Sequence, residues 1–177
     1  MKKTKIVVAV LLLVLCFIFA SCGPKDYVLN ESIFFRVMTN VQYYPEQYLD
    51  STIEFDCFTY DLVDVNGTTY RCGVRKCSAG YGCTCGNDTI IGFVLENGEY
   101  SEAFPEPRNQ SEDSNEKTWV HLKGKLKSAD KLTITLPSTA QGADGSAVPD
   151  QIQMLTFVVE ICELIEDYSN LNYYVSK

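Results

Sequence analysis

The sequence predicts a mainly β domain, a small five-stranded Greek-key barrel, with one helix at its N-terminal end. Three observations support this prediction. Apolar and polar residues alternate with a period of two in most stretches after residue 52, Asn66-Gly67 marks a tight turn between two such stretches, and the apolar spacing before residue 45 is helical.

The chain begins with the features of an export signal. Residues 1–21 consist of a basic start, an apolar run and two small residues, which is the three-part form of a secretory signal. The apolar run is shorter than the roughly 20 residues that span a bilayer, so we expect cleavage and not a retained membrane helix. The sequence Phe19-Ala20-Ser21-Cys22 resembles the bacterial lipobox, although that motif usually has Leu where this chain has Phe19. This resemblance implies cleavage before Cys22 and a lipid on its thiol.

The alternative is a conventional signal that is cleaved nearby and leaves Cys22 as an ordinary thiol. With a lipid on Cys22, the mature chain is held at the extracytoplasmic face of a membrane. We divide the chain into the signal at 1–21, a lipidated tether at 22–30, a helix with the barrel at 31–168 and a tail at 169–177. Removal of the signal leaves 177 − 21 = 156 residues, which suits one domain with a real core.

The mature chain is acidic. The full chain has 15 basic and 23 acidic residues, and the signal contains three of the lysines, so the mature charge is 12 − 23 = −11. Binding to nucleic acid needs clustered Lys and Arg, and the densest basic stretch, 123–131, is short. We therefore expect no nucleic-acid partner. The expected partners are the membrane, through the anchor, and an envelope or transporter protein.

The predicted helix opens the domain. Asn30 provides a cap, and apolar residues between 32 and 41 follow at helical spacing. Pro45 is expected to end the helix, because proline has no backbone N–H to donate.

A hairpin of two strands follows the helix. Residues 52–62 alternate with a period of two and predict the first strand. Asn66-Gly67 predicts a type I′ turn, in which both central residues have positive φ, and a second strand from 68 to about 76 pairs back on the first.

Three more strands complete the predicted barrel. The remaining elements are an irregular loop at 77–88, a strand at 89–95, a long exposed loop at 97–117, a strand at 119–126 with a further short strand or extension at 132–136, a loop at 137–150 and a last strand at 151–165. Five strands with long loops around the fourth fit a barrel of the OB type better than a sandwich, which needs about seven strands.

Several short stretches add a resemblance to known domains. The run Tyr48-Leu49-Asp50-Ser51-Thr52-Ile53-Glu54 resembles the opening of lipoprotein OB-type domains. The stretches Cys83-Thr84-Cys85-Gly86-Asn87-Asp88, Gly92-Phe93-Val94 and Trp119-Val120-His121-Leu122-Lys123-Gly124 are similar to the cysteine-containing soluble domain of an uncharacterised bacterial family. That domain belongs to the second component of a two-gene permease-like system.

This resemblance covers roughly residues 48–126 and the last strand, and it implies zinc handling by the cysteine–aspartate cluster. The chain departs from the family pattern by placing Thr84 between the two cysteines and by having a lipid anchor in place of membrane helices. Membrane transport by this chain itself is therefore not implied.

Six cysteines remain after the signal and the lipidation site are set aside. The chain has eight, of which Cys16 leaves with the signal and Cys22 carries the lipid. The six disulfide candidates are Cys57, Cys72, Cys77, Cys83, Cys85 and Cys162. An even number outside the cell permits three disulfides, and six cysteines allow 15 connectivities, among which the sequence does not choose.

A zinc site is the other interpretation of these cysteines. Zinc takes four ligands in tetrahedral geometry, and Cys72, Cys77, Cys83 and Cys85 are the candidate set, with Asp88 or His121 as substitutes. The spacing differs from the paired C-x-x-C of zinc ribbons, so the metal expectation depends largely on the family resemblance. The metal and disulfide interpretations stay open together at this point.

The function expected from the sequence is a membrane-anchored, non-enzymatic binding module with a cysteine-rich, zinc-binding site. No catalytic residues are proposed, because no nucleophile elbow, zinc-protease motif, phosphate loop or dinucleotide fingerprint is present. One alternative is a thiol-dependent redox or metal-transfer protein that uses Cys83 and Cys85. Another is a disulfide-stabilised structural protein of the cell envelope.

Overall fold

The structure is a computed structural model that describes residues 25–77, 89–110, 116–137, 150–172 and 174–175. Within these ranges it contains one α-helix, a short 3-10 helix and seven strands. In chain order they are β1 (Asp26–Leu29), α1 (Glu31–Tyr43), the 3-10 helix (Pro45–Gln47), β2 (Thr52–Val63), β3 (Thr69–Cys77), β4 (Thr89–Asn97), β5 (Trp119–Leu136), β6 (Asp150–Leu164) and β7 (Tyr174–Val175).

The prediction of a mainly β domain with an N-terminal helix is confirmed. The predicted number of five strands is too low, because β1 and β7 add two short strands to the five long ones. No helix within the described ranges combines the length and the apolar character needed to cross a membrane.

Helix α1 forms as the sequence predicts. The Asn30 side-chain oxygen accepts a hydrogen bond from the backbone N–H of Ser32 at 3.1 Å, so one of the free donors at the helix start is satisfied. The buried residues of α1, at i, i+4 and i+7, form one face that packs on the sheet: Phe34, Met38 and Val41.

The strands form one mixed sheet. The pairings run in the order β1, β2, β5, β6, β4, β3 and β7, and β2 also pairs with β3. The pairs β2–β3, β2–β5, β3–β4 and β5–β6 are antiparallel, whereas β4–β6, β1–β2 and β3–β7 are parallel.

The β2–β3 turn differs from the predicted type I′ turn. Val63 pairs with Thr69, and the Asp64 N–H bonds to the Thr68 carbonyl at 3.0 Å, so the loop has three residues. Only its last residue, Gly67, has positive φ, at 82°. A three-residue hairpin loop that ends in a left-handed glycine is the next common solution after the two-residue turns.

Asp64 selects this turn. Its Oδ1 accepts hydrogen bonds from the backbone N–H groups of Asn66 and Thr68, both at 2.8 Å. These bonds hold the pKa of Asp64 below its ordinary value, because they favour the charged carboxylate. Aspartate at the first turn position thus outweighs the Asn-Gly signal on which the type I′ prediction was based.

This turn geometry predicts different losses of stability for substitutions at Gly67 and Asn66, whereas a type I′ turn would predict similar losses at both positions. Gly67→Ala is expected to lower the free energy of unfolding by about 1–2 kcal/mol, because a β-carbon is strained at positive φ. Asn66→Ala is expected to change it by less than about 0.5 kcal/mol, since Asn66 does not have positive φ. Urea denaturation of both variants measures the difference, and equal losses would instead support the type I′ turn.

The apolar side chains form two clusters. The first cluster lies between one face of the strands and α1, and its largest members are Phe34, Met38, Ile53, Phe55, Phe93, Leu122, Leu155 and Phe157. The second cluster lies on the opposite face of β3 and β4, and its members are Phe58, Leu62, Cys72, Val74, Val94, Trp119, Ile134 and Met154. Ile134 lies in the last part of β5 and Met154 in the first part of β6, and these two parts pair with each other. They therefore cover the outer face of β3 and β4.

The segment after β4 is more ordered than the exposed loop predicted at 97–117. Arg71 on β3 donates to the Phe104 and Pro105 carbonyls at 2.8 and 2.6 Å and forms an ion pair with Asp61 at 2.5 Å. The Thr118 hydroxyl donates to the Glu106 carbonyl at 2.6 Å. The prediction of a loop is confirmed for the described part of this stretch, most of which is exposed, and side chains of the sheet satisfy some of its backbone carbonyls.

Both ends of the domain also join the sheet. Within the predicted tether, Asp26–Leu29 forms β1 and pairs with the start of β2. Within the predicted tail, β7 pairs with Lys76 and Cys77 of β3, and Val175 is buried. The described chain therefore packs as part of the domain from β1 to β7.

Candidate functional site

The site residues predicted from the sequence fall into three groups. Cys22, Cys83, Cys85 and Asp88 lie outside the described residues. Cys57, Cys72, Cys77 and Cys162 are described and carry free thiols. His121 is described and lies on β5.

Cys72 and Cys77 are not brought together. They are five positions apart on β3, and successive side chains of a strand point to opposite faces, so the two thiols project from different faces. Cys72 belongs to the second apolar cluster and Cys77 to the first. One metal ion therefore cannot be bound by both thiols while β3 keeps this structure.

Burial suppresses ionisation of both thiols. It raises the pKa of Cys72 to about 12 and the pKa of Cys77 to about 12. The thiolate is the form that binds metal and attacks disulfides, so a thiol with this pKa is almost entirely unreactive near neutral pH. Cys72 and Cys77 have the properties of small apolar core residues.

Cys57 and Cys162 are a second pair of core thiols. Burial raises the pKa of Cys57 well above its ordinary value, and the nearby Cys162 raises it further. Burial also raises the pKa of Cys162 to about 11, although a hydrogen bond with the Tyr100 side chain opposes this shift. Cys57 is fully buried in the first cluster, and Cys162 packs against the same cluster.

His121 lies among carboxylates and not among cysteines. Its Nδ1 is 2.7 Å from Asp56 Oδ1, and its Nε2 is 3.3 Å from Glu54 Oε1. Lys123 Nζ lies 3.7 Å from the other oxygen of Glu54. The register explains this cluster, because Asp56 pairs with His121 and Glu54 pairs with Lys123 across β2 and β5.

The same register separates His121 from the thiol of Cys57 on the neighbouring strand. Cys57 pairs with Val120, and adjacent positions on β5 point to opposite faces. A Cys57–His121 catalytic pair is therefore not formed. His121 therefore belongs to a cross-strand group of polar side chains on the outer face of the sheet, with a carboxylate beside each ring nitrogen.

Arg75 is a buried charge that the sequence analysis missed. Its side chain is buried, with 1% of the residue exposed. One guanidinium nitrogen donates to the two carboxylate oxygens of Glu31 at 2.7 and 3.0 Å and to the Asn172 carbonyl, and the other donates to the Asp56 carbonyl at 3.3 Å. These bonds connect β3 to the start of α1, to β2 and to the C-terminal segment.

Two aromatic rings complete the surroundings of Arg75. The guanidinium carbon lies 4.9 Å from the centre of the Trp119 ring and 5.3 Å from that of Phe34. Such contacts favour a desolvated cation. The sequence signal that could have found it is the alternation along β3, which places Arg75 on the same face as Gly73 and Cys77. An alternating pattern alone does not reveal that a buried charge has partners.

A pocket of about 190 Å³ lies between the end of α1 and the starts of β4 and β6. Four apolar side chains, two glutamines and one glycine line it, so the lining is mixed: Gln42, Ile90, Ile91, Gly92, Ile152, Gln153 and Met154. The Gln42 amide nitrogen donates to the Gly92 carbonyl at 3.0 Å and fixes one wall. β4 begins directly after Asp88, so this wall continues the cysteine-containing segment along the chain.

Within the described ranges, no group of three or more His, Cys, Asp or Glu side chains is arranged to hold a metal ion. Comparison with known proteins found no match to a family model, to a curated protein or to a solved structure.

Proposed function

We propose that this chain is an extracytoplasmic lipoprotein, anchored in a membrane through Cys22, whose β domain is a non-enzymatic binding module. The observation that carries the proposal is the sequence Ala20-Ser21-Cys22 followed, after three residues, by the first strand of the domain. A lipid on Cys22 would hold that domain at the membrane surface. Several acyl chains, each methylene contributing about 0.8 kcal/mol, make such an anchor stable.

We also propose that the five long strands form a small Greek-key barrel of the OB type. The pairings that support this run from β2 through β5, β6, β4 and β3, and β3 pairs with β2 again. Four of these five pairings are antiparallel and one, β4–β6, is parallel. The last part of β5 and the first part of β6 cover the outer face of β3 and β4. OB domains commonly bind ligands on the face of these two strands, so in this chain that face would be occupied by the chain itself.

The pocket beside α1 is the binding surface that we assign to the module. Its four apolar side chains and two glutamine amides suit a side chain with both apolar and polar groups from an envelope or transporter protein partner. A binding role is favoured over catalysis because the four described thiols are protonated near neutral pH and His121 is held by carboxylates.

The anchor is tested by labelling with a radioactive fatty acid such as palmitate. Cys22→Ala is expected to abolish the label and to leave uncleaved precursor or release the protein from the membrane, because Cys22 is the cysteine that directly follows the small residues Ala20 and Ser21. Cys16→Ala is the matched control, since Cys16 lies in the apolar run of the same signal, and it is expected to keep full labelling. Unchanged label on Cys22→Ala would refute the lipoprotein assignment.

Zinc binding stays part of the proposal in a narrower form. Cys72 and Cys77 face different clusters and His121 is engaged elsewhere, so the described candidates do not fit a shared zinc site. The proposed ligands are therefore Cys83, Cys85 and Asp88, which lie outside the described residues. The redox alternative depends on Cys83 and Cys85, whereas the disulfide alternative was stated for all six cysteines, of which the four described ones carry free thiols.

Thiol labelling of natively exported protein separates these alternatives. Cys57, Cys72 and Cys77 are buried, and Cys162 is half-buried with its pKa raised to about 11, so we expect no more than two thiols to react rapidly with Ellman's reagent near neutral pH. Rapid reaction of two thiols only after a chelator is added indicates zinc, reaction without a chelator indicates a free dithiol, and reaction only after reduction indicates a disulfide. Rapid reaction of four or more would contradict the buried positions of the core thiols.

The raised thiol pKa values also predict that the stability of the domain falls as pH rises into the alkaline range. As pH rises above the ordinary thiol pKa of about 8.5, the unfolded chain loses protons that the folded chain keeps. The thiol contribution to stability is therefore fully present below that pH and is lost progressively towards the folded-state values of about 11 to 12.

A further inference from the structure

One end of the domain is held close to the proposed anchor. β1 begins at Asp26, four residues after Cys22. Four residues of fully extended chain reach at most about 14 Å. If Cys22 carries a lipid, the start of β1 must therefore lie close to the bilayer surface.

The end of α1 lies at this same end of the domain. Asp26 pairs with Thr52, so β1 and β2 start side by side. The short segment between α1 and β2 reaches β1 through the rings of Tyr27 and Tyr48, whose centres are 5.1 Å apart. Backbone hydrogen bonds from the Tyr44 N–H to the Asn40 carbonyl at 2.8 Å and from the Gln47 N–H to the Tyr44 carbonyl at 3.1 Å connect this segment to the last turn of α1.

Two exposed tyrosines mark this end. Tyr43 closes α1 with 74% of its surface exposed, and Tyr44 follows with 55% exposed. Their ring centres lie 6.4 Å apart, so they form one aromatic surface. Tyrosine combines an apolar ring with a polar hydroxyl and is enriched where a protein meets the headgroup layer of a bilayer.

We propose that Tyr43 and Tyr44 contact the headgroup region of the bilayer in which Cys22 is anchored. The proposal rests on the proposed lipidation of Cys22 and adds the orientation of the domain on the membrane. Glu46 and Asp50 are exposed in the same segment, so the contact is not driven by attraction to anionic lipids. It is therefore expected on phosphatidylcholine and to be insensitive to salt.

Tryptophan fluorescence tests this orientation, because the chain has a single tryptophan, the buried Trp119. Lipidated Tyr43→Trp protein is reconstituted in phosphatidylcholine vesicles whose acyl chains are brominated near the headgroup. Val65→Trp is the matched control: Val65 is 52% exposed and lies in the loop beyond the far end of β2. We expect the Tyr43→Trp signal to be quenched at least about twofold more than that of Val65→Trp.

The outcomes separate this inference from the function on which it rests. Protein that fails to float with the vesicles contradicts the lipid anchor itself. Protein that floats with them but shows equal quenching at the two positions overturns the proposed orientation and leaves the anchor intact. Strong quenching of Tyr43→Trp that persists in high salt supports an apolar contact, whereas its loss in high salt would refute the contact proposed.

Discussion

Replacement of Arg75 by alanine is expected to lower the free energy of unfolding by about 3–5 kcal/mol. The substitution removes a buried guanidinium that bonds to Glu31 and to two backbone carbonyls, and it leaves space beside the rings of Phe34 and Trp119. Urea denaturation followed by tryptophan fluorescence measures the loss. Trp119 is a direct reporter, because the guanidinium lies over its ring.

Two variants distinguish this role from a general effect of removing charge. Arg36→Ala removes an exposed arginine from the same helix that supplies Glu31, and it is expected to change stability by less than about 0.5 kcal/mol. Arg75→Met keeps part of the side-chain volume and is expected to cost less than Arg75→Ala, since Glu31 is partly exposed and can turn to water. An Arg75→Ala loss no larger than that of Arg36→Ala would show that the buried bonds do not stabilise the domain.

The elements of this fold could be predicted wherever local signals agree. The Asn30 cap with helical spacing gave α1, and the period-two pattern gave the five long strands, because both depend on neighbouring residues. The turn type was predicted wrongly because two local signals competed. Asn66-Gly67 favours one turn, whereas the carboxylate of Asp64 bonds to two backbone N–H groups and stabilises another.

The short strands could not be predicted from the sequence for a different reason. β1 and β7 have four and two residues, and each exists only because a long strand offers it an unpaired edge. The order seen after β4 likewise depends on Arg71, which is 33 residues away from Phe104 in the chain. Contacts of this range leave no periodic pattern in the sequence.

The candidate site was predicted less well than the fold, partly because an odd or even separation along a strand decides which side chains share a face. Cys72 and Cys77 are close in sequence, but their odd separation on one strand places them on opposite faces. The sequence alone allows both thiols as metal ligands, but because they are buried they pack as core residues. Arg75 shows the converse case, since no local pattern sets this charged residue apart and it is among the most buried side chains.

The second large effect is expected at Phe55, the centre of the first apolar cluster. Its ring contacts those of Phe34, Phe93 and Phe157, with ring centres 6.1, 5.7 and 5.5 Å apart. Phe55 therefore joins α1 to strands β2, β4 and β6. Phe55→Ala is expected to lower the free energy of unfolding by about 3–5 kcal/mol, because the transfer energy of the ring is lost and a cavity is left.

Tyr43→Ala is the matched control for Phe55→Ala, since it removes an aromatic ring that is 74% exposed, and a change within about 0.5 kcal/mol is expected. The four rings also predict a pattern beyond the single loss. Phe55 and Phe157 are in contact, so the double variant Phe55→Ala/Phe157→Ala should differ from the sum of the two single losses by at least about 0.5 kcal/mol. Strict additivity, or a Phe55→Ala loss near that of Tyr43→Ala, would mean that these rings do not form one packed core, because a shared cavity couples its neighbours.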